Sequence, residues 1–333
     1  MKLFQHLLFL SSLVMSACTG SASAPAASPS AEPAAGTSSE HRTSPIFCAD
    51  SAYSYVARQC AFGPRVPGTE AQRECSRWLE NELRRHGASV TIQEGQMTAY
   101  DGSQLPVRNI VGSFNAEARM HVLLISHYDS RHVSDQDPEP AKRHEAVMGA
   151  NDGASGVGVL LELARLASQQ SPQVGIDIFL TDVEDYGAPD DWKGQHDEKW
   201  WGMGTQMWCR EAASKGYRAQ YGILLDMVGS PDATFFREYY SDRYARPYVD
   251  QIWQAAASLG YSHLFIDRQG GGVTDDHVFV NRMLNIPCVD IIDTRMDSDG
   301  TFCPEWHTTH DTMEHISAET LEKVGKVLVK LLF

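Results

Sequence analysis

Four short apolar runs, at 121–126, 175–181, 221–226 and 286–292, alternate with segments of helical periodicity at 154–169, 204–215 and 247–259. Each run has strand length and is apolar at successive positions, so both of its faces must be covered. Strands of this kind lie side by side in a parallel sheet, and parallel neighbours need long crossover connections, which the intervening helices supply. The pattern predicts an α/β fold, a three-layer α/β/α sandwich around a mainly parallel, mixed central sheet. Strands at 89–93 and 107–114 extend the sheet, and helices at 52–61 and 68–86 precede it. A last helix at 317–332 opens on Ser317 as N-cap, with Glu319 and Glu322 in its first turns. There is no internal repeat and no second linker, so residues 46–333 read as one domain.

The segment before it has a different character. Lys2 precedes an apolar stretch from Leu3 to Met15 that is too short to span a bilayer and fits a signal peptide. It ends in Met15-Ser16-Ala17-Cys18, which resembles a bacterial lipobox, so residues 1–18 read as a lipoprotein signal with Cys18 as the lipidated residue. Residues 19–45, rich in Ser, Ala and Pro, bury too little apolar surface to fold and read as a flexible tether. The expectation is an exported chain, anchored by lipid to a bacterial membrane and facing the periplasm or the cell surface. A monomer is expected.

A net charge of −15 argues against nucleic acid as a partner, because phosphate binding needs an excess of Lys and Arg. Export permits disulfides among Cys48, Cys60, Cys75, Cys209, Cys288 and Cys303. Cys48 with Cys60 is one candidate pair, and Cys288, within an apolar run, reads as a buried thiol. No Cys/His spacing suggests a metal site.

In parallel sheets ligands bind beyond the carboxyl ends of the strands. Ionisable residues follow the runs there: His127 and Asp129, then Asp182 to Asp185, then Asp226. Asn151-Asp152-Gly153 precedes the helix at 154, and Trp306-His307-Thr308 lies near the C-terminus. Carboxylate oxygen and imidazole nitrogen suit zinc, and a catalytic zinc keeps three protein ligands and an open position. Asp152, Asp185 and His307 can supply those three, leaving Glu184 beside a ligand as a general base or acid. His310 and His315 read as solvated histidines, and Trp200-Trp201 as core or pocket wall. Gly270-Gly271-Gly272 reads as an active-site turn, since no P-loop lysine follows.

The segments His127-Tyr128-Asp129, Gly149 to Gly156, Glu184-Asp185, Leu225-Asp226-Met227 and His307 resemble, in order and spacing, the motifs of the zinc aminopeptidase-like family. Within it, Asp275-Asp276-His277 after a glycine run, Trp306 directly before His307, and 225–231 resemble the animal-type (type II) glutaminyl-peptide cyclotransferases, here of bacterial origin. One departure is Asp185, where the family pattern has Glu. The resemblance implies one zinc per chain, held by Asp152, Asp185 and His307, acting as Lewis acid on the γ-amide of an N-terminal glutamine of a peptide or protein. It implies Glu184 as the proton shuttle, a hydrogen-bonded pair of Asp226 and Asp275 that orients the intermediate, and walls made by Trp306, Phe302 and Trp192. The products are a pyroglutamyl end and ammonia. His127 and Asp129 then orient their neighbours, or His127 binds a second metal. Two other readings stay open: a two-zinc aminopeptidase using His127, Asp152, Asp185, Asp226 and His307, and a peptide-binding module without chemistry.

Overall fold

The computed structural model describes residues 44–295 and 302–333. The expected signal segment, Cys18 and nearly all of the tether fall outside the described residues. Along the chain run α1 (Ala49–Cys60), α2 (Glu70–Arg85), β1 (Ser89–Thr98), β2 (Gln104–Phe114), β3 (His121–His127), α3 (Ala154–Gln169), β4 (Gly175–Thr181), α4 (Met203–Ser214) and β5 (Tyr221–Asp226). There follow β6 (Phe235–Arg237), α5 (Tyr239–Ser258), β7 (Phe265–Gln269), α6 (Asp276–Phe279), β8 (Cys288–Ile292) and α7 (Ala318–Leu332).

Six strands form the central sheet in the order β1-β2-β4-β3-β5-β8. β4, β3, β5 and β8 are mutually parallel, while β2 runs antiparallel to β4 and β1 antiparallel to β2. The four apolar runs are therefore the four parallel strands. Alternation along β3 divides the core. Val122 and Leu124 pack with Val157 and Leu161 of α3 and with residues of α1, α5 and α7. Leu123 and Ile125 face the other way, onto Trp208, Cys209 and Ala212 of α4. Strands covered on both faces by helices make the three-layer sandwich that the apolar runs demand.

Differences from the expected elements have local causes. β1 and β2 run past their apolar portions, and β2 pairs with β4 only over residues 110–114. The remainder of β2 has β1 as its partner, which is why Pro106 is tolerated there. α5 starts eight residues before the expected Pro247, because Glu238 caps it by accepting the N–H groups of Tyr240 and Ser241. β6 and β7 form a separate two-stranded sheet too short to leave a periodic signal. The described cysteines are all free, and Cys48 and Cys60 lie at opposite ends of α1, beyond the ~7 Å Cα separation that a bridge tolerates.

Arg65 fixes the segment that leads to α3. It is fully buried, and its guanidinium donates to the carbonyls of Tyr128, Met148 and Gly149, each at 2.7 Å. This joins the end of β3 to the loop carrying Asp152. Arg65→Met leaves two buried carbonyls, of Tyr128 and Gly149, and the part-buried one of Met148 without those donors, at about 1–3 kcal/mol for each buried group. We expect a loss of about 3 kcal/mol or more in urea unfolding, and a loss under about 1 kcal/mol would show that water takes over the role.

Candidate metal centre and active site

The ionisable residues expected to form the site gather at the carboxyl edge of the parallel strands. β3 ends at His127 and continues to Asp129, β4 leads into Glu184 and Asp185, and β5 ends on Asp226. Asp152 precedes α3, Asp275 is the N-cap of α6, and His307 comes from the segment before α7. Val183, Met227 and His307 have positive φ angles of 53°, 50° and 54°. Such angles cost side-chain-bearing residues about 1–3 kcal/mol each and persist where surroundings enforce them. At Val183 the enforcement comes from Asp182, whose Oδ1 accepts the Val183 N–H, while its Oδ2 accepts Gln72 Nε2 and the N–H of Arg108. Burial and then the charge of Asp129 push the Asp182 carboxyl up to about 8. Asp129 accepts the N–H groups of Glu184 and Asp185 at 3.1 and 3.2 Å, which orients the paired acids.

Asp152, Asp185 and His307 offer donor atoms within 4.8 Å of one another. His307 Nε2 lies 3.2 Å from Asp185 Oδ1 and 3.6 Å from Asp152 Oδ2. Asp185 Oδ2 is buried without a hydrogen-bond partner. Burial, followed by the charge of Asp152, raises the Asp185 pKa well above the carboxylate range. An orphaned buried oxygen beside a second carboxylate and an imidazole fits a divalent cation of the zinc type. Asp311 holds Asp152 in place by accepting the N–H groups of Asn151 and Asp152. Sequence reasoning missed Asp311, and also Arg131 and Asp135 behind His307; a lone Asp or Arg in a loop carries no spacing signal.

His127 lies beneath this group. Its Nε2 is 3.0 Å from Asp152 Oδ1 and 3.2 Å from Asp226 Oδ1, and its Nδ1 is 3.5 Å from Asp129. Burial opposes a charged ring, but the three carboxylates outweigh it and raise the His127 pKa well above its ordinary value. The group His127, Asp152 and Asp226 also has metal-donor spacing, so Asp152 belongs to both groups. Gly153 is required here, because a Cβ on it would stand 2.4 Å from the His127 ring.

The expected Asp226–Asp275 hydrogen bond is absent among the described residues. Asp226 turns to His127, and Asp275 Oδ1 caps α6 by accepting the Asp276 N–H. The pair still communicates through charge. Burial and then Asp226 push Asp275 to about 7, and burial and then Asp152 push Asp226 to about 6. Behind Asp275, His277 Nε2 bonds to Glu238 at 3.0 Å, and its Nδ1 lies 3.5 Å from Asp290.

A cavity of about 360 Å³ opens over these acids, lined on its apolar sides by Trp201, Met227, Val273, Ile292, Phe302 and Trp306. The Trp306 ring stacks on His307 with centroids 3.7 Å apart, and Phe302 tilts against Trp306 at 4.6 Å. Trp192 does not line this cavity. Its ring packs edge-on against Tyr100 at 4.9 Å, in a cluster with His132, Tyr186 and Trp200. Trp201 takes the wall position expected of Trp192. Glu184 lines the cavity, is 7% exposed, and belongs to neither donor group. Burial and then the charge of Asp275 raise its pKa well above the ordinary glutamate value.

Residues 109–332 match the family model of peptidase family M28. The chain belongs to that family. This M28 chain is 45% identical to the glutaminyl cyclase of Bacteroides thetaiotaomicron, whose crystal structure with bound N-acetylhistamine superposes with a TM-score of 0.85 over 87% of this chain and 99% of that one. A zinc-dependent exopeptidase from Parabacteroides distasonis is 49% identical, with a TM-score of 0.85 over 87% of this chain and 99% of that one. The glutaminyl-peptide cyclotransferase of Bos taurus is 24% identical over 250 residues, covering 66% of this chain, and the chain spans 64% of that protein's length. The M28 sandwich and its metal-binding character agree with the three-donor group. We expect His307→Ala to weaken zinc binding by more than the roughly 10–100-fold that loss of an outer hydrogen-bond partner costs. Chelator competition measures it, and unchanged affinity would move the metal elsewhere.

Proposed function

We propose that this chain is a glutaminyl-peptide cyclotransferase, converting an N-terminal glutamine of peptides and proteins to pyroglutamate with release of ammonia. The observation that carries the reading is the placement of Glu184. It is a buried carboxyl beside the three donors, free of the metal-donor groups, inside a small cavity walled by Trp201, Phe302 and Trp306. The similarity to bacterial and animal glutaminyl cyclases supports the same reading. One zinc per chain, held by Asp152, Asp185 and His307, would supply Lewis acidity toward the γ-amide carbonyl.

The protein's own residues account for the rest. The aromatic walls hold the glutamine side chain folded, bringing its α-amine near its γ-carbon and excluding water. Glu184 takes a proton from the attacking amine. It then gives that proton to the departing amide nitrogen, which leaves as ammonia as the C–N bond breaks. A carboxyl whose burial makes it hold a proton tightly suits that return transfer. Asp275, with its pKa raised to about 7, can hold a proton near neutrality and donate a hydrogen bond to the substrate, while Asp226, raised only to about 6 and engaged by His127, is mostly ionised there.

A second reading, a two-metal aminopeptidase, is favoured by the donor group His127, Asp152 and Asp226. Incubation with a Gln-initiated peptide and a Leu-initiated amide separates the two. Cyclisation gives free ammonia and a peptide lighter by one ammonia; a released amino acid would sink the cyclase reading. Neither product from a metal-loaded chain would leave a binding module. Separately, Glu184→Gln should retain one zinc per chain by elemental analysis and lose turnover by roughly a hundredfold or more. Undiminished turnover would remove Glu184 from the proton path.

A further inference from the structure

Arg131 has no part in the chemistry above, yet it is among the most buried charges in the molecule, 1% exposed. Its guanidinium grips Asp135 through two parallel bonds, Nε to Oδ1 at 2.8 Å and Nη2 to Oδ2 at 2.7 Å. That pair would be complete as a structural ion pair. The third nitrogen instead reaches a member of the donor group: Nη1 donates to Asp185 Oδ1 at 3.2 Å, with the Gly187 carbonyl at 3.5 Å. Asp135 reaches another, its Oδ1 lying 3.6 Å from His307 Nδ1. The same guanidinium lies 5.1 Å from the ring of Trp201, a wall of the cavity.

We propose that Arg131 is a positioning residue that holds two of the three metal ligands as one unit, Asp185 directly and His307 through Asp135. The inference rests on the metal reading of the site and not on ring closure. Three observations favour it over a merely structural ion pair. The third donor, Asp152, has its own separate brace in Asp311, so the Arg131 unit serves the other two. Asp185 has the shortest acidic side chain available, and Nη1 occupies one of its oxygens while the other has no protein partner. The charges also divide cleanly: Arg131 balances Asp135, and a divalent ion would balance Asp152 and Asp185. Only a planar fork with several fixed N–H directions can do this at once; a lysine ammonium supplies the charge but not the directions.

The test uses Arg131→Lys in the full chain, probed with zinc and with cobalt(II) in its place. We expect a folded protein by circular dichroism whose zinc affinity, from chelator competition, falls roughly 10–100-fold, as for other residues that orient metal ligands. The visible cobalt band should change in position or intensity, because ligand geometry sets it; a structural role would lower the melting temperature and leave that band alone. Wild-type zinc affinity together with a wild-type cobalt band in folded Arg131→Lys overturns the proposal. Should that variant fail to fold, Asp135→Asn keeps Arg131 and weakens only the grip. About tenfold weaker zinc binding supports the unit, and unchanged binding overturns it. Failure of the wild-type chain to bind zinc at all overturns it too. A chain that binds zinc but does not cyclise Gln-peptides overturns the proposed function alone.

Discussion

Like charges packed away from water dominate the energetics of the sheet edge. Asp152, Glu184, Asp185, Asp226 and Asp275 all face one cavity, and no lysine or arginine lines it among the described residues. Carboxylates at this density cannot all ionise without a compensating cation. Two compensations are visible. His127 sits among three carboxylates, and burial raises the affinity of Glu184, Asp226 and Asp275 for protons. A divalent ion at Asp152, Asp185 and His307 would supply the remainder. The framework is built to tolerate the site until that ion arrives: Asp129, Asp182 and Asp311 spend their carboxylates on backbone N–H groups that hold the loops in place.

The M28 sandwich can place the same donors for hydrolysis or for ring closure, so what distinguishes the two is the surroundings of the metal. Here the carboxyl free of the metal-donor groups shares its cavity with three aromatic rings and a second raised carboxyl, Asp275. Those walls favour a reaction in which the nucleophile already belongs to the substrate and water is unwelcome. His127 completes the second donor group with Asp152 and Asp226, the group that a two-metal reaction would use.

Much of this was legible in the chain because the signals were repeated. Four apolar runs specified the parallel strands, and an ionisable residue at the end of one run after another specified the edge where the site lies. Asp152, Asp185, His307, Glu184, Trp306 and Phe302 are all brought together as expected. What escaped were single residues whose roles depend on long-range geometry. Arg131, Asp135 and Asp311 look like ordinary loop charges until folding carries them behind the donors. Trp192 was misplaced for the converse reason: a loop's path is not periodic, and the chain uses Trp201, nine residues on, as the wall. The Asp226–Asp275 bond is not formed: Asp226 is engaged by His127, and Asp275 Oδ1 by the Asp276 N–H.

The close approach of Gly153 to His127 has a historical corollary. Any side chain at 153 would collide both with the imidazole and with the backbone carbonyl of residue 127. A lineage that replaced His127 by a smaller residue would still need glycine at 153, because the carbonyl oxygen of residue 127 also stands 2.5 Å from where a Cβ would lie. Glycine beside Asp152 should therefore persist in descendants whatever residue they carry at 127, for as long as the loop keeps its path past the end of β3.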